Sequence, residues 1–210
     1  MKYNIPKDKE ESIYQAALTE FAKEGYKKAS TNNIVKNCNV SKGSLFNYFN
    51  TKKDLYIYVV NKSLKAIEDE MTKYFINLSD DFFERIDQCQ KIKMNAITKF
   101  YREGKIIVDA YELEDEDVAN QINYAHKYYE KIGEELYLKD IDRSKFKDNI
   151  DINLVYKTML YISYGFTDSL VRKYRDSAKL VENIKVLRQE LFEIINMLKK
   201  SFYKGESNEY

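Results

Sequence analysis

Lys42, Ser44, Asn47 and Tyr48 lie within one seven-residue stretch and carry the donors and acceptors that bases and phosphates can meet. Lys42 can donate to guanine or to a phosphate, and Ser44 and Asn47 can hydrogen-bond base edges. Tyr48 can offer its hydroxyl to phosphate or its ring to a thymine methyl. Gly43, lacking a side chain, lets the helix that carries them approach closely. Ser30, Thr31 and Asn32 on one side, and Thr51 and Lys52 on the other, have the composition of helix starts. The free amides of such starts hold backbone phosphate without reading sequence. The chemistry this pattern suits is recognition of double-stranded DNA.

The readers need elements that present them together. In the segment from Ser30 to Asp54, STNNIVKNCNVSKGSLFNYFNTKKD, the residues Ile34, Val35 and Cys38 fall at helical spacing after Ser30 and Thr31, which are good caps. Asn39 tolerates the left-handed conformation that ends a helix, and Val40 can bury itself as the hinge. Ser41 caps the next helix, whose Leu45 and Phe49 face the core and leave Lys42, Ser44, Asn47 and Tyr48 pointing largely outward. Thr51 and Asp54 form a T-x-x-D capping box that opens a third helix, with Lys52 and Lys53 at its amide end. A helix, a tight turn and a second short helix with a polar face is the helix-turn-helix geometry that fits the major groove.

The order of residues from Val40 to Tyr56, V-S-K-G-S-L-F-N-Y-F-N-T-K-K-D-L-Y, resembles the TetR family of bacterial repressors, whose members often read close to V-S-K-G-T-L-Y-x-Y-F-x-S-K-E-x-L. Phe21, Gly25 and Tyr26 upstream are similar to that family's link between its first two helices. The resemblance covers roughly residues 8 to 60. Two departures bear on contacts: Phe46 stands where the family often has Tyr, and Asn39 where it usually has Gly. The resemblance implies an all-α fold, with a three-helix DNA-binding domain over residues 1–50. Residues 51–210 would form a helical domain for ligand binding and dimerisation, with the helix from 51 joining the two. It implies a homodimer formed through the last two helices, and a small-molecule effector held between helices of the second domain.

Composition agrees with a helical protein. The chain has 210 residues, of which 44% are hydrophobic and 33% charged, with one proline and six glycines. No apolar run reaches the ~20 residues of a membrane-spanning helix, and MKYNIPKDKE lacks the apolar centre of a secretion signal, so a cytoplasmic location is expected. Cys38 and Cys89 have neither disulfide-framework nor metal-site spacing and are expected to be reduced and buried, with no metal and no cofactor. Residues 1–60 hold ten basic and six acidic residues, giving +4, while the rest hold 25 and 28, giving −3. The basic excess thus lies in the segment expected to meet phosphate.

Along the chain, Ile13, Ala17 and Phe21 stripe a first helix that starts near Pro6 and ends at Gly25. Leu55 and Val59 should pack on the small bundle, and Val60, Leu64, Ile67, Met71 and Phe75 continue that helix as one rod. A helix through Phe82, Ile86, Cys89, Ile92, Ala96 and Phe100 should end or kink at Gly104. The acidic run Glu112–Asp117 reads as a solvated loop leading to a helix from Val118 to Leu138. Ile152, Val155, Met159, Ile162, Phe166 and Leu170 stripe the penultimate helix, with a second face of Leu154, Tyr161 and Gly165. Leu180, Ile184, Leu187, Leu191, Ile194 and Leu198 stripe the last. Two striped helices joined by a short loop suit an antiparallel pair whose second faces meet a twofold copy.

Aromatic residues with hydroxyls suit the wall of an effector pocket, and the candidates are Phe100, Tyr101, Tyr111, Tyr124, Tyr128, Tyr161 and Tyr164. His126, the single histidine, is a further candidate for ligand contact or pH sensing. Three rival readings are a DNA-binding regulator without a ligand, a regulator that senses a protein partner, and a helical enzyme. The enzyme reading lacks a glycine-rich phosphate loop, a nucleophile elbow and a His/Cys metal spacing.

Overall fold

The structure, a computed structural model, describes residues 4–173 and 177–205, with the side chains of 121–131 and of several positions between 167 and 184 outside the description. Nine α-helices are found among the described residues, and no strand. They are α1 (Lys7–Lys28), α2 (Thr31–Cys38), α3 (Lys42–Tyr48), α4 (Lys52–Thr72), α5 (Phe82–Lys99), α6 (Tyr101–Tyr111), α7 (Glu116–Leu138), α8 (Ile152–Lys173) and α9 (Ser177–Phe202). A 3-10 turn, Arg143–Lys145, follows α7. The protein is all-α, as expected.

Packing divides the chain into two compact units, one of Met1–Thr72 with Ala96–His126 and one of Lys73–Asn95 with Lys127–Tyr210. In the first, α1 packs on α2, α4 and α6, and α4 on α6. Its core takes Ile13, Ala17 and Phe21 from α1, Ile34 from α2, Leu45 from α3, Phe49, and Leu55 and Val59 from α4, all at most 1% exposed. Residues 1–50 therefore share their core with α4 and α6, because three short helices alone bury too little apolar surface. Gly25, at φ +71°, breaks α1 where the sequence places its end, and Ala29 N–H returns to Gly25 O at 3.0 Å. An L side chain there would be strained.

Three expectations change on this frame. The break after α5 falls at Phe100 (φ −104°, ψ 54°), and Gly104 sits inside α6. A methyl at Gly104 would meet Ile97 at 3.4 Å, so the glycine eases packing and does not stop a helix. The rod α4 ends at Thr72, short of Phe75. The acidic run is only partly solvated. Asp115 caps α7 by accepting from the Asp117 and Val118 amides at 3.1 and 3.3 Å, and it pairs with Lys53.

The second unit is built on Phe82, Phe83, Phe146, Val155, Tyr156, Met159, Leu191 and Tyr203. Its polar clasp is Asp81, 2% exposed, which caps α5 through the Glu84 amide at 3.0 Å. Asp81 also accepts from the Tyr203 hydroxyl at 3.1 Å and pairs with Lys145 and Lys199 at 3.1 and 3.2 Å. Arg85 beside it donates to the carbonyls of Ser79, Leu136 and Lys139, tying the start of α5 to the end of α7.

Candidate nucleic-acid interface

The geometry of the first unit begins at α2. Ser30 is its N-cap by backbone conformation (φ −106°, ψ 119°), but its side chain makes no capping bond. The start is fixed from α1 instead: Glu20, 8% exposed, accepts from the Ser30 amide at 2.8 Å and from Asn33 Nδ2 at 3.2 Å. A carboxylate inside the apolar run L-T-E-F-A was the available signal for this role, since a buried acid must find donors.

Asn39 ends α2 in the left-handed conformation (φ 54°, ψ 40°), and Val40 is buried behind it. Cys38 is buried too; burial pushes its thiol pKa up, which keeps it unreactive. Ser41 caps α3, accepting from the Ser44 amide at 3.0 Å, and the two hydroxyls share a hydrogen bond at 2.8 Å. On α3, Leu45 is 1% exposed while Lys42, Gly43 and Asn47 lie exposed. Phe49, expected on the helix, is its C-cap and is buried. Ser44 is half-buried. Tyr48, expected to point away from the core, is half-buried and packs partly against it, leaving less of its ring for a base.

The capping box at α4 is formed in both directions. Thr51 N–H donates to Asp54 Oδ2 at 3.0 Å, and Asp54 N–H to Thr51 Oγ1 at 3.1 Å. Lys52 Nζ donates to the carbonyls of Lys27 and Ala29 at 3.2 and 3.0 Å and lies 5.0 Å from the Tyr26 ring centre. Two of its three donors are thus engaged at the end of α1, and its charge stays beside the α4 start. Lys53 Nζ is held by Asp117 at 2.5 Å and Asp115 at 3.4 Å. The Asp117 contact, with Asp115, raises its pKa above the ordinary value. The structure places Thr31 half-buried and Asn32 exposed at the start of α2, and Thr51 exposed at the start of α4. Two helix starts and one short polar helix are therefore carried by a single core.

The aromatic set expected to wall a pocket is divided between the two units. Phe100, Tyr101 and Tyr111 belong to the first unit, where Tyr111 is 47% exposed. Tyr161 and Tyr164 belong to the second, where Tyr161 is 71% exposed. The side chains of Tyr124, Tyr128 and His126 lie outside the described residues. A recess of about 40 Å³ does exist in the second unit, lined by Ile86, Gln90, Tyr137, Tyr156, Met159, Leu160 and Ser163. Helical periodicity gave no means to choose these over other core positions. Cys89 is buried nearby in contact with Tyr137, and burial pushes its thiol pKa up to about 11. On α8, Leu154 and Tyr161 are exposed at a spacing of seven, and Val186 and Met197 are exposed on α9.

Among the described residues no group of His, Cys, Asp and Glu could hold a metal, and no helix is long and apolar enough to cross a membrane. Residues 13–59 match the profile of bacterial regulatory proteins of the tetR family. The chain is similar to YuxN of Bacillus subtilis, an uncharacterized HTH-type transcriptional regulator, at 40% identity over 55 residues. That match spans 26% of this chain and only 19% of the relative. An HTH-type transcriptional regulator of Staphylococcus aureus is 24% identical over 152 residues, covering 72% of this chain and 75% of the relative. The fold is similar to that of the transcriptional regulator FadR of Bacillus subtilis, solved in complex with stearoyl-CoA. Its TM-score is 0.63 at 18% identity, covering 87% of this chain and 96% of that one.

Proposed function

We propose that the chain, whose residues 13–59 match the profile of bacterial regulatory proteins of the tetR family, is a DNA-binding transcriptional regulator rather than an enzyme, and that it acts as a repressor. In this reading it binds a palindromic operator as a dimer and is released by a small, largely apolar or aromatic molecule. Residues 1–50 read DNA and residues 51–210 regulate, with α4 joining the two roles. The observation that carries the reading is α3: Leu45 is held in the core while Lys42, Gly43 and Asn47 stand exposed.

Lys42, Ser44, Asn47 and Tyr48 meet the major groove, with Gly43 allowing close approach. Ser30, Thr31, Asn32, Thr51 and Lys52 hold phosphates. One α3 makes too few base contacts for useful specificity, so two copies enter successive grooves. The exposed apolar residues of α8 and α9 supply the twofold contact. The ligand-bound FadR relative supports an effector for the second half, and an effector acts by binding the DNA-free conformer better.

Selection of bound fragments from the source genome tests this. A twofold-symmetric site whose affinity falls steeply with salt is expected. Recovery of no common sequence, or of an asymmetric one bound by a single chain, would remove the reading. A second reading, a regulator answering to a protein partner, is favoured by the recess size, since ~300 Å³ is the lower range for a drug-sized ligand. Loss of DNA binding on addition of a small molecule decides for the first.

A further inference from the structure

We propose that the recess formed by α5, α7 and α8 is the foot of the effector site, and that it takes an organic anion, an apolar molecule ending in a carboxylate or similar acid, with Lys93 as its charged anchor. The proposal rests on the effector-responsive reading above. Ile86 and Gln90 of α5 line the recess, and Lys93 follows them at spacings of seven and three, which places it on the same face of the helix.

Several half-buried lysines of this fold pair with carboxylates, Lys53 with Asp117, Lys62 with Glu10 and Glu11, Lys105 with Asp109, while Lys52 donates to the carbonyls of Lys27 and Ala29. Lys93 is also half-buried, yet no carboxylate pairs with it among the described residues. Burial lowers its ammonium pKa from the ordinary 10.5. A desolvated cation without a counter-charge is costly, and an anion supplied from outside removes that cost. The described lining contains no acid that would repel one. Ile86, Met159 and Leu160 offer an apolar wall, and Gln90, Tyr137, Tyr156 and Ser163 offer polar groups beside it. An aliphatic or aromatic body with one acidic end matches both parts.

Calorimetric titration of the full-length, DNA-free protein with decanoate and with 1-decanol at neutral pH tests the assignment. Decanoate is expected to bind about tenfold or more tightly than decanol, the worth of one charged hydrogen bond. Lys93→Met should abolish that preference and Lys93→Arg should keep it, with thermal unfolding showing both variants folded. Equal affinity for the two probes, binding of neither, or a preference that survives Lys93→Met overturns the proposal. None of these outcomes involves DNA, so they leave the operator reading standing. A protein that preferred decanoate but bound no genomic fragment would lose that reading alone.

Discussion

At the scale of single residues, the readers and their supports behave differently. Asn47 is exposed on α3, so Asn47→Ala should change base preference at one half-site position, at a cost of about 1–3 kcal/mol against the preferred base. Fragment selection with the variant checks this, and an unchanged preference profile removes Asn47 from the readers. Glu20 is buried on α1 and fixes the start of α2 through Ser30 and Asn33. Glu20→Ala should destabilise the protein by about 2 kcal/mol in urea unfolding, because a buried amide loses a charged acceptor. Glu20→Gln, which keeps one acceptor, should lose less; two variants as stable as the parent would show that the bond carries nothing. The exposure of Lys42, Gly43 and Asn47 was legible in the sequence because their polarity contrasts with Leu45 and Phe49 at fixed spacing, whereas Ser44 and Tyr48 are half-buried. The roles of Glu20 and Lys52 were not legible, because their partners lie 10 to 25 residues away and depend on how α1 ends.

At the scale of elements, caps set the boundaries. The box of Thr51 and Asp54 and the cap at Ser41 were readable because both partners lie within three residues. Asp81 shows the opposite case, drawing its partners from α5, the 3-10 turn and α9. Burial alone would raise its pKa, but the Glu84 amide, Lys145 and Lys199 together hold it below the ordinary 3.8. A carboxylate with a depressed folded pKa contributes stability that is complete above its unfolded value and lost as pH falls through the folded one. Unfolding free energy followed from about pH 5 down to about pH 2 should therefore fall, and Asp81→Asn should flatten part of that fall. An acid limb identical in the two proteins would show that the clasp is not held by charge. Gly104 failed as a stop signal because a glycine is equally compatible with close helix packing, as its approach to Ile97 shows.

At the scale of the whole molecule, the proposed assembly depends on the outer residues of α8 and α9. Tyr161→Glu should convert the dimer to a monomer in light scattering and weaken operator binding by roughly a hundredfold, since the second half-site is no longer tethered. A variant that stays dimeric moves the contact elsewhere. The apolar periodicity of α8 was legible in part, with Val155 and Met159 buried, Ile152, Ile162 and Phe166 half-buried, and the side chain of Leu170 outside the described residues. The pocket wall was not, because choosing among 19 tyrosines requires knowing which helices meet.

Lys53, at the start of α4, arrives at any duplex already neutralised by Asp115 and Asp117. These aspartates act as an internal counterion. While they hold this ammonium it neutralises no phosphate and displaces none of the cations condensed on DNA, so Lys53 is expected to be silent in the ionic-strength dependence of binding. Replacing both aspartates with asparagine should steepen the slope of log affinity against log salt by about 0.9 in magnitude, one phosphate's worth. An unchanged slope would mean that Lys53, freed of its aspartates, still meets no additional phosphate.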